Sequence, residues 1–332
     1  MQRPALDDRS AQQRVAPAGP AHVKDVPEVA IMILVVGATG LLGGDICRRL
    51  VSRGRTVRAL VRRTAAPDRV AALREHGVET VVGDLRDPAS LTVACAGVSS
   101  VITTASSMPA SFIAGENDIE TTDIAGQANL IEAARMAGVD HFVYLSFSGQ
   151  LDLDFPLRNA KRTTEARLRE SGMTYTILRP SFFMDVWLSP AVGFDALHAT
   201  ATIYGNGTHP ISWAAAGDVA EFAVRSLEVP EARNATIEIG GPVPLTPLDV
   251  VQIFEELGSP PFELSYLPAE ELAVQQEAAT DDRGRSFAGL MRCYALGDPI
   301  LMNETARTFG IELTPVEEYA AAVLGRVPAG VG

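Results

Sequence analysis

Cysteine is scarce. Cys47, Cys95 and Cys293 are the only three in 332 residues, too few and too scattered for a disulfide framework or a zinc site, so no metal is expected. Their scarcity fits a reducing compartment, which predicts a cytoplasmic protein. Long apolar runs are missing too: the most apolar stretch at the start of the fold, Ile31 to Gly44, is broken by glycines and falls short of the ~20 residues that cross a bilayer. No excess of basic residues exists, since 28 Lys and Arg against 41 Asp and Glu leave a formal charge of -13. Nucleic acid and anionic membrane surfaces are therefore excluded as partners by long-range repulsion, whereas a small molecule in a local basic pocket is compatible. Residues 1–30 have no apolar segment of the kind a secretory signal needs. They are polar and rich in Pro and Ala, and are expected to be a disordered extension, with a flexible tail over residues 327–332.

What is present is a globular composition, 47% apolar, enough for one large core with a smaller satellite. From residue 31 short β-rich runs alternate with segments of helical spacing. Strands are predicted at Ile31–Val36, Thr56–Val61, Val78–Gly83, Val98–Thr104, His141–Ser146 and Thr174–Leu178. Leu42, Ile46 and Leu50 recur every four residues between the first two, and Ile124, Ala128, Ile131 and Ala134 mark one long helix over residues 118–137. This alternation predicts a doubly wound parallel α/β sheet of the Rossmann kind over residues 31–180. After residue 180 the regularity fails, and residues 181–213 read as aromatic, irregular binding loops. Regular elements then return: a helix from Asp218, a strand at Thr236–Ile239 and a helix opened by Thr246 and Pro247. One more helix is expected from Thr314 as N-cap, with Pro315 first and Glu317 closing a capping box. Residues 181–326 are thus expected to form a smaller α+β substrate-side lobe, interleaved with the first core.

The first strand runs straight into Gly37-Ala38-Thr39-Gly40-Leu41-Leu42-Gly43, which opens a helix. Glycines in this strand–loop–helix setting serve a tight turn, close approach of backbone to a pyrophosphate, and close packing of helix on sheet. The helix N-terminus offers open N–H groups and partial positive charge to phosphates. The second strand ends with Val61 and then Arg62 and Arg63, where NAD-preferring folds usually carry an acidic residue for the ribose 2′-hydroxyl. NADP(H) is therefore expected over NAD(H), with both arginines on the 2′-phosphate. Asp84 and Leu85 close the third strand, suited to the adenine amine and ring, while Thr103, Thr104 and Ala105 close the fourth beside the first.

These segments resemble the NmrA-like branch of the atypical short-chain dehydrogenases/reductases. The resemblance is carried by the residue 37–43 loop, Val57 to Arg62, Gly83-Asp84-Leu85, His141 to Ser146, Lys161, Ser171 to Pro180, Trp213 to Ala220 and Ile239 to Pro242. It implies a nicotinamide-binding fold over nearly all of residues 31–325, and an activity among NADPH-dependent reductases or non-catalytic nucleotide sensors. It also implies that Lys161 holds the nicotinamide ribose. The tyrosine that standard short-chain dehydrogenases place four residues before that lysine is Leu157 here, so the usual phenolic acid is absent. Ser146 and Ser148, just past the fifth strand, are candidates to bond a substrate oxygen.

The expected reaction is hydride transfer from NADPH to a small aromatic, quinone-like or conjugated carbonyl compound, with Lys161 and Ser146 as the catalytic candidates. A substrate pocket is expected from Ser181, Phe182, Phe183, Met184, Trp187, Tyr204, Trp213, Leu290, Met291 and Tyr294. The competing expectation is an NADP(H)-binding regulatory or assembly protein that turns nothing over. The sequence leaves the oligomeric state open, a homodimer included.

Overall fold

Five apolar residues, Met32–Val36 (β1), have no polar face, and four of the five are buried. Such a strand belongs inside a parallel sheet covered on both sides. The computed structural model, which describes residues 32–108, 116–150 and 153–326, places it there. The extension expected over residues 1–30 and the tail expected over 327–332 lie outside the described residues.

After β1 come α1 (Leu41–Ser52), β2 (Thr56–Val61), α2 (Pro67–Glu75), β3 (Glu79–Val82), α3 (Pro88–Cys95) and β4 (Val98–Thr103). A π-helical turn (Ile119–Ile124) then leads into α4 (Ala125–Met136), β5 (His141–Leu145), α5 (Pro156–Glu170) and β6 (Thr174–Pro180). The later chain adds α6 (Met184–Trp187), β7 (Phe194–Asp195), β8 (Thr200–Tyr204), α7 (Ala216–Arg225), β9 (Ala235–Ile239) and α8 (Pro247–Glu256). It closes with β10 (Glu263–Leu267), α9 (Ala269–Ala278), α10 (Asp282–Leu296), α11 (Asn303–Phe309) and α12 (Val316–Val323). Seven strands form one parallel sheet in the order β3-β2-β1-β4-β5-β6-β9, and β10-β8-β7 form a small mixed sheet. The fold is a Rossmann-type doubly wound α/β sheet with a second, smaller lobe.

Side chains alternate along β1 between two cores. Ile33 and Val35 pack with α1 and α7, while Leu34 and Val36 pack with α3 and α4. On α1 the four-residue spacing buries Ile46 and Leu50 to 1% exposure; each such side chain contributes about 1.5–3 kcal/mol when removed from water. Chain order reverses between β1 and β4, because β2 and β3 lie to one side and β4, β5, β6 and β9 to the other. The carboxyl ends of these two strands therefore splay over a crevice, the usual ligand position in such sheets.

Three local expectations need correction. The long helix of residues 118–137 begins as a π turn, so Ile124 packs into the second lobe's core while Ile131 and Ala134 pack beneath the sheet. Asp118 caps this turn in a reciprocal box with Thr121. Thr314 does not cap the last helix: Pro315 is the N-cap, and Thr314 gives its N–H and hydroxyl to the buried Asp218 at 2.7 and 2.9 Å. Finally, residues 181–213 contain β8, whose parallel partner β10 lies about sixty residues further on, beyond what a local pattern reveals.

Candidate active site

A cavity of about 760 Å³ opens over the carboxyl ends of β1 and β4 and runs from the glycine loop to α5 and the segment after β6. At its floor Gly37 has φ +84°, and a Cβ there would lie 2.6 Å from Thr104 Oγ1 and 2.9 Å from the Ala105 nitrogen. Only glycine lets the loop close against the end of β4. A Cβ on Gly43 would meet the Gly37 carbonyl oxygen at 2.2 Å, so this glycine sets how tightly α1 seats on the loop. Gly40 is the N-cap of α1 and supplies no side-chain cap, and the first turn carries no acidic residue. Open N–H groups and the positive end of the helix dipole thus face the cavity, a cradle for a pyrophosphate. Thr39, Gly40, Leu41 and Leu42 line it with Thr104 and Ala105.

Three guanidinium groups, Arg62, Arg69 and Arg86, stand at the β2–β3 end of the cavity. Arg69 donates to the Thr39 carbonyl at 2.7 Å. Arg86 holds Asp84 with two side-chain bonds, Nε to Oδ1 at 2.9 Å and Nη2 to Oδ2 at 2.8 Å. These bonds from Arg86 keep the Asp84 carboxyl below the usual carboxylate range, and Arg62 adds a weaker attraction. Arg62 is exposed on the cavity wall, whereas Arg63 is exposed away from it. Leu85 lines the cavity. Thr103 does not; it is buried against Gln127, which also donates to the Ala105 carbonyl at 2.9 Å and so fixes the end of β4.

The opposite end is built from buried charge. Lys161 on α5 is 5% exposed and lines the cavity. Its Nζ donates to the Leu145 carbonyl at 3.3 Å and lies 3.6 Å from Asp123 Oδ1. Burial lowers the ammonium below its ordinary value, with Asp123 opposing. Ser146 also lines the cavity, but its hydroxyl donates to Glu165 at 2.6 Å. Glu165 gathers Arg162, Arg169 and Arg179 around one carboxylate, and Arg162 continues to the Phe147 and Ser148 carbonyls at 3.0 and 2.7 Å. Burial alone would raise the Glu165 carboxyl; Arg179, Ser146 and Arg162 outweigh it and hold it at about 2. Ser148, the other serine candidate, donates to the buried Asp298 at 2.8 Å and lies off the cavity. Leu157 occupies the wall where a tyrosine would stand, beside Phe147, Phe183 and Val186.

Of the ten residues expected to shape a substrate pocket, Phe183 lines this cavity and the other nine do not. The reason is packing. Tyr294 sits within 5.3–5.8 Å, ring centre to ring centre, of Phe182, Trp187, Tyr204 and Trp213. Two polar tips of this cluster are satisfied inside the lobe, Trp213 Nε1 by the Leu245 carbonyl at 3.0 Å and the Tyr204 hydroxyl by the Val192 carbonyl at 2.8 Å. Ser181, Met184 and Met291 are buried as well, and Leu290 packs against the same core. Asp123, Gln127, Arg162, Glu165 and Arg179 escaped the sequence reading, because polar and charged residues on helix and strand patterns read as solvated. The one available signal was the spacing of Arg162 and Arg169 at three and four residues either side of Glu165.

Comparison with known proteins fits this geometry. Residues 30–319 match the model of the NmrA-like family. The NAD(P)H azoreductase of Xenophilus azovorans is 30% identical over 305 residues, 91% of this chain and 93% of that one. The photosystem II assembly factor Ycf39 of Cyanophora paradoxa is 31% identical over 248 residues, 74% of this chain and 75% of its own. The solved structure of the Citrobacter sp. triphenylmethane reductase complexed with NADP(H) has a TM-score of 0.70 at 24% identity, covering 88% of this chain and 99% of that one, a likeness of fold.

Proposed function

The chain belongs to the NmrA-like family, and from that premise we propose that it is an NADP(H)-dependent oxidoreductase reducing a small aromatic, quinone-like or conjugated acceptor. The observation that carries this reading is the continuity of one cavity, with a phosphate cradle and arginines at one end and Lys161 among apolar walls at the other. NADPH, when bound, supplies the hydride. The protein binds, orients and excludes water.

The residue 37–43 loop and the start of α1 take the pyrophosphate. Arg62 meets the 2′-phosphate, with Arg69 and Arg86 nearby to deepen the positive field. Lys161 would hold the nicotinamide ribose at the end of the cavity walled by Leu157, Phe183 and Val186. Orientation of this kind lowers a barrier by several kcal/mol. The proton is the constraint on substrate. Ser146 donates to the Glu165 carboxylate, which stays ionised at neutral pH, so Glu165 does not resupply a proton that Ser146 gives away. Acceptors whose reduced form tolerates negative charge until solvent protonates it, such as quinones and extended conjugated systems, suit this site better than aliphatic ketones.

A non-catalytic reading draws on two observations: Leu157 stands where standard relatives have the phenolic acid, and an assembly factor is among the similar proteins. NADPH oxidation against a panel of quinones, enones, azo compounds and aromatic ketones decides between them. Turnover of a conjugated acceptor at an ordinary enzymic rate supports the reductase; tight NADPH binding with no turnover of any acceptor assigns the chain to the sensors.

A further inference from the structure

One buried charge near the cavity touches neither the phosphate cradle nor the Glu165 cluster. Asp123 lies in the π turn ahead of α4 and is 0% exposed. Its carboxylate accepts from Ser106 Oγ at 2.7 Å, from the Ser107 nitrogen at 3.0 Å and from Ser107 Oγ at 2.6 Å. Its own carbonyl accepts from Thr164 on α5 at 2.9 Å, which ties the turn to the helix that carries Lys161. A π turn, closed by i→i+5 bonds, is rare and is found frequently at functional sites. Here the Asp123 side chain reaches Lys161 Nζ at 3.6 Å.

We propose that Asp123 is a positioning residue: the buried carboxylate that keeps the Lys161 ammonium charged and aimed into the cavity while tethering the Ser106–Ser107 segment of the cavity wall. An isolated ammonium removed from water sheds its proton unless an anion compensates it. The other groups facing Lys161 do less. Tyr144 on β5 presents its ring face at 5.3 Å and, with its hydroxyl held neutral by burial and by Asp123, carries no charge. Glu165, on the same helix, also favours the ammonium, but less than Asp123 does; it is engaged by Arg162, Arg169 and Arg179, and the Arg162 charge acts on Lys161 in the opposite sense. Among the described residues Asp123 is the carboxylate in direct contact with the lysine, and it outweighs the others. The ribose contact of Lys161 rests on the reductase reading, whereas its charge state does not.

The chain has two lysines, Lys24 and Lys161, so protein labelled with ε-¹³C-lysine gives two side-chain signals. Lys161→Arg assigns them. In the wild type the Lys161 signal stays in its protonated position through neutral pH, and in Asp123→Asn its midpoint falls by about one pH unit or more, a tenfold loss of proton affinity. Asp123→Glu restores it. Ser107→Ala removes a tether but leaves the charge, and its midpoint does not fall; this variant carries the test if the asparagine variant does not fold. A folded Asp123→Asn protein with an unmoved midpoint, or a Ser107→Ala protein whose midpoint drops, overturns the proposal. Turnover supplies the separate arm: in Asp123→Asn the loss of kcat/KM as pH rises moves to lower pH along with the lysine. Absence of turnover with every acceptor defeats the reductase reading while leaving the lysine titration to decide Asp123.

Discussion

The two ends of the cavity are held together by different physics. The phosphate end is mostly backbone: positive φ at Gly37, missing Cβ atoms at Gly37 and Gly43, and the uncapped start of α1. The lysine end is mostly side-chain charge brought from distant segments, with Asp123 and Lys161 in one pair and Ser146, Arg162, Glu165, Arg179 and Glu238 in a network. Backbone geometry is indifferent to salt and pH but intolerant of a single methyl group. A charge network tolerates shape change but fails when one ion is removed. One cavity therefore has two modes of failure.

The network end carries the largest expected effect. Glu165→Gln leaves Arg162 and Arg179 partly buried without their central anion, and should cost about 3 kcal/mol or more in urea unfolding. A loss under 1 kcal/mol would mean the cluster is only decoration on the fold. Its pH dependence has a definite sign. The folded carboxyl titrates at about 2, below its ordinary 4.5, so its contribution is complete above pH 4.5 and is lost as pH falls toward 2. The Gln variant should lack that portion of the acid loss.

At the backbone end Gly37→Ala should cost about 1–3 kcal/mol of strain from positive φ. It should also abolish measurable NADPH binding, because the added methyl displaces Thr104 and Ala105. Retained binding in calorimetry would show that the loop adapts, and the contrast between the two ends would weaken. Next in size, Arg62→Ala should lower NADPH affinity roughly ten- to a hundredfold and leave NADH affinity unchanged. If NADPH affinity holds, Arg69 or Arg86 carries the 2′-phosphate instead.

The smallest effect lies far from the cavity. Thr176 spends its proton on the Ala232 carbonyl at 2.7 Å, so His141 Nε2 must be the donor in its 2.9 Å bond to Thr176. Burial, with a lesser push from Arg233, lowers the imidazole from 6.5 to about 4. The unfolded chain takes up the proton first on acidification, so stability is lost as pH falls from 6.5 to 4. His141→Gln should flatten that slope; an unchanged slope would place the titration elsewhere.

This contrast also explains what the sequence made legible. The strand–glycine–helix run, Thr56–Val61 and the arginines beyond it are local signals, and the parallel sheet follows from the alternation of elements. The lysine end is non-local. Asp123 meets Lys161 across 38 positions of sequence, and Glu165 meets Glu238's partner Arg179 across 14, with nothing in either segment to separate them from solvated helix charges. The aromatic residues after 180 misled for a related reason: Tyr204, Trp213 and Tyr294 have the composition of a binding wall. The Tyr204 hydroxyl and the Trp213 indole, though, find carbonyls inside the lobe, and Tyr294 packs between their rings, which turns the cluster into core.

The central claim is that the two ends act on one reaction, which is tested most directly by single-turnover hydride transfer. NADPH deuterated at C4 is mixed with the wild type or Lys161→Ala and a quinone acceptor, and transfer is followed in stopped flow. The wild type should transfer with a primary isotope effect, and Lys161→Ala should transfer far more slowly while binding NADPH nearly as well. Equal rates in the two proteins would contradict the role given to Lys161, and no transfer in the wild type to any acceptor would contradict the reductase itself.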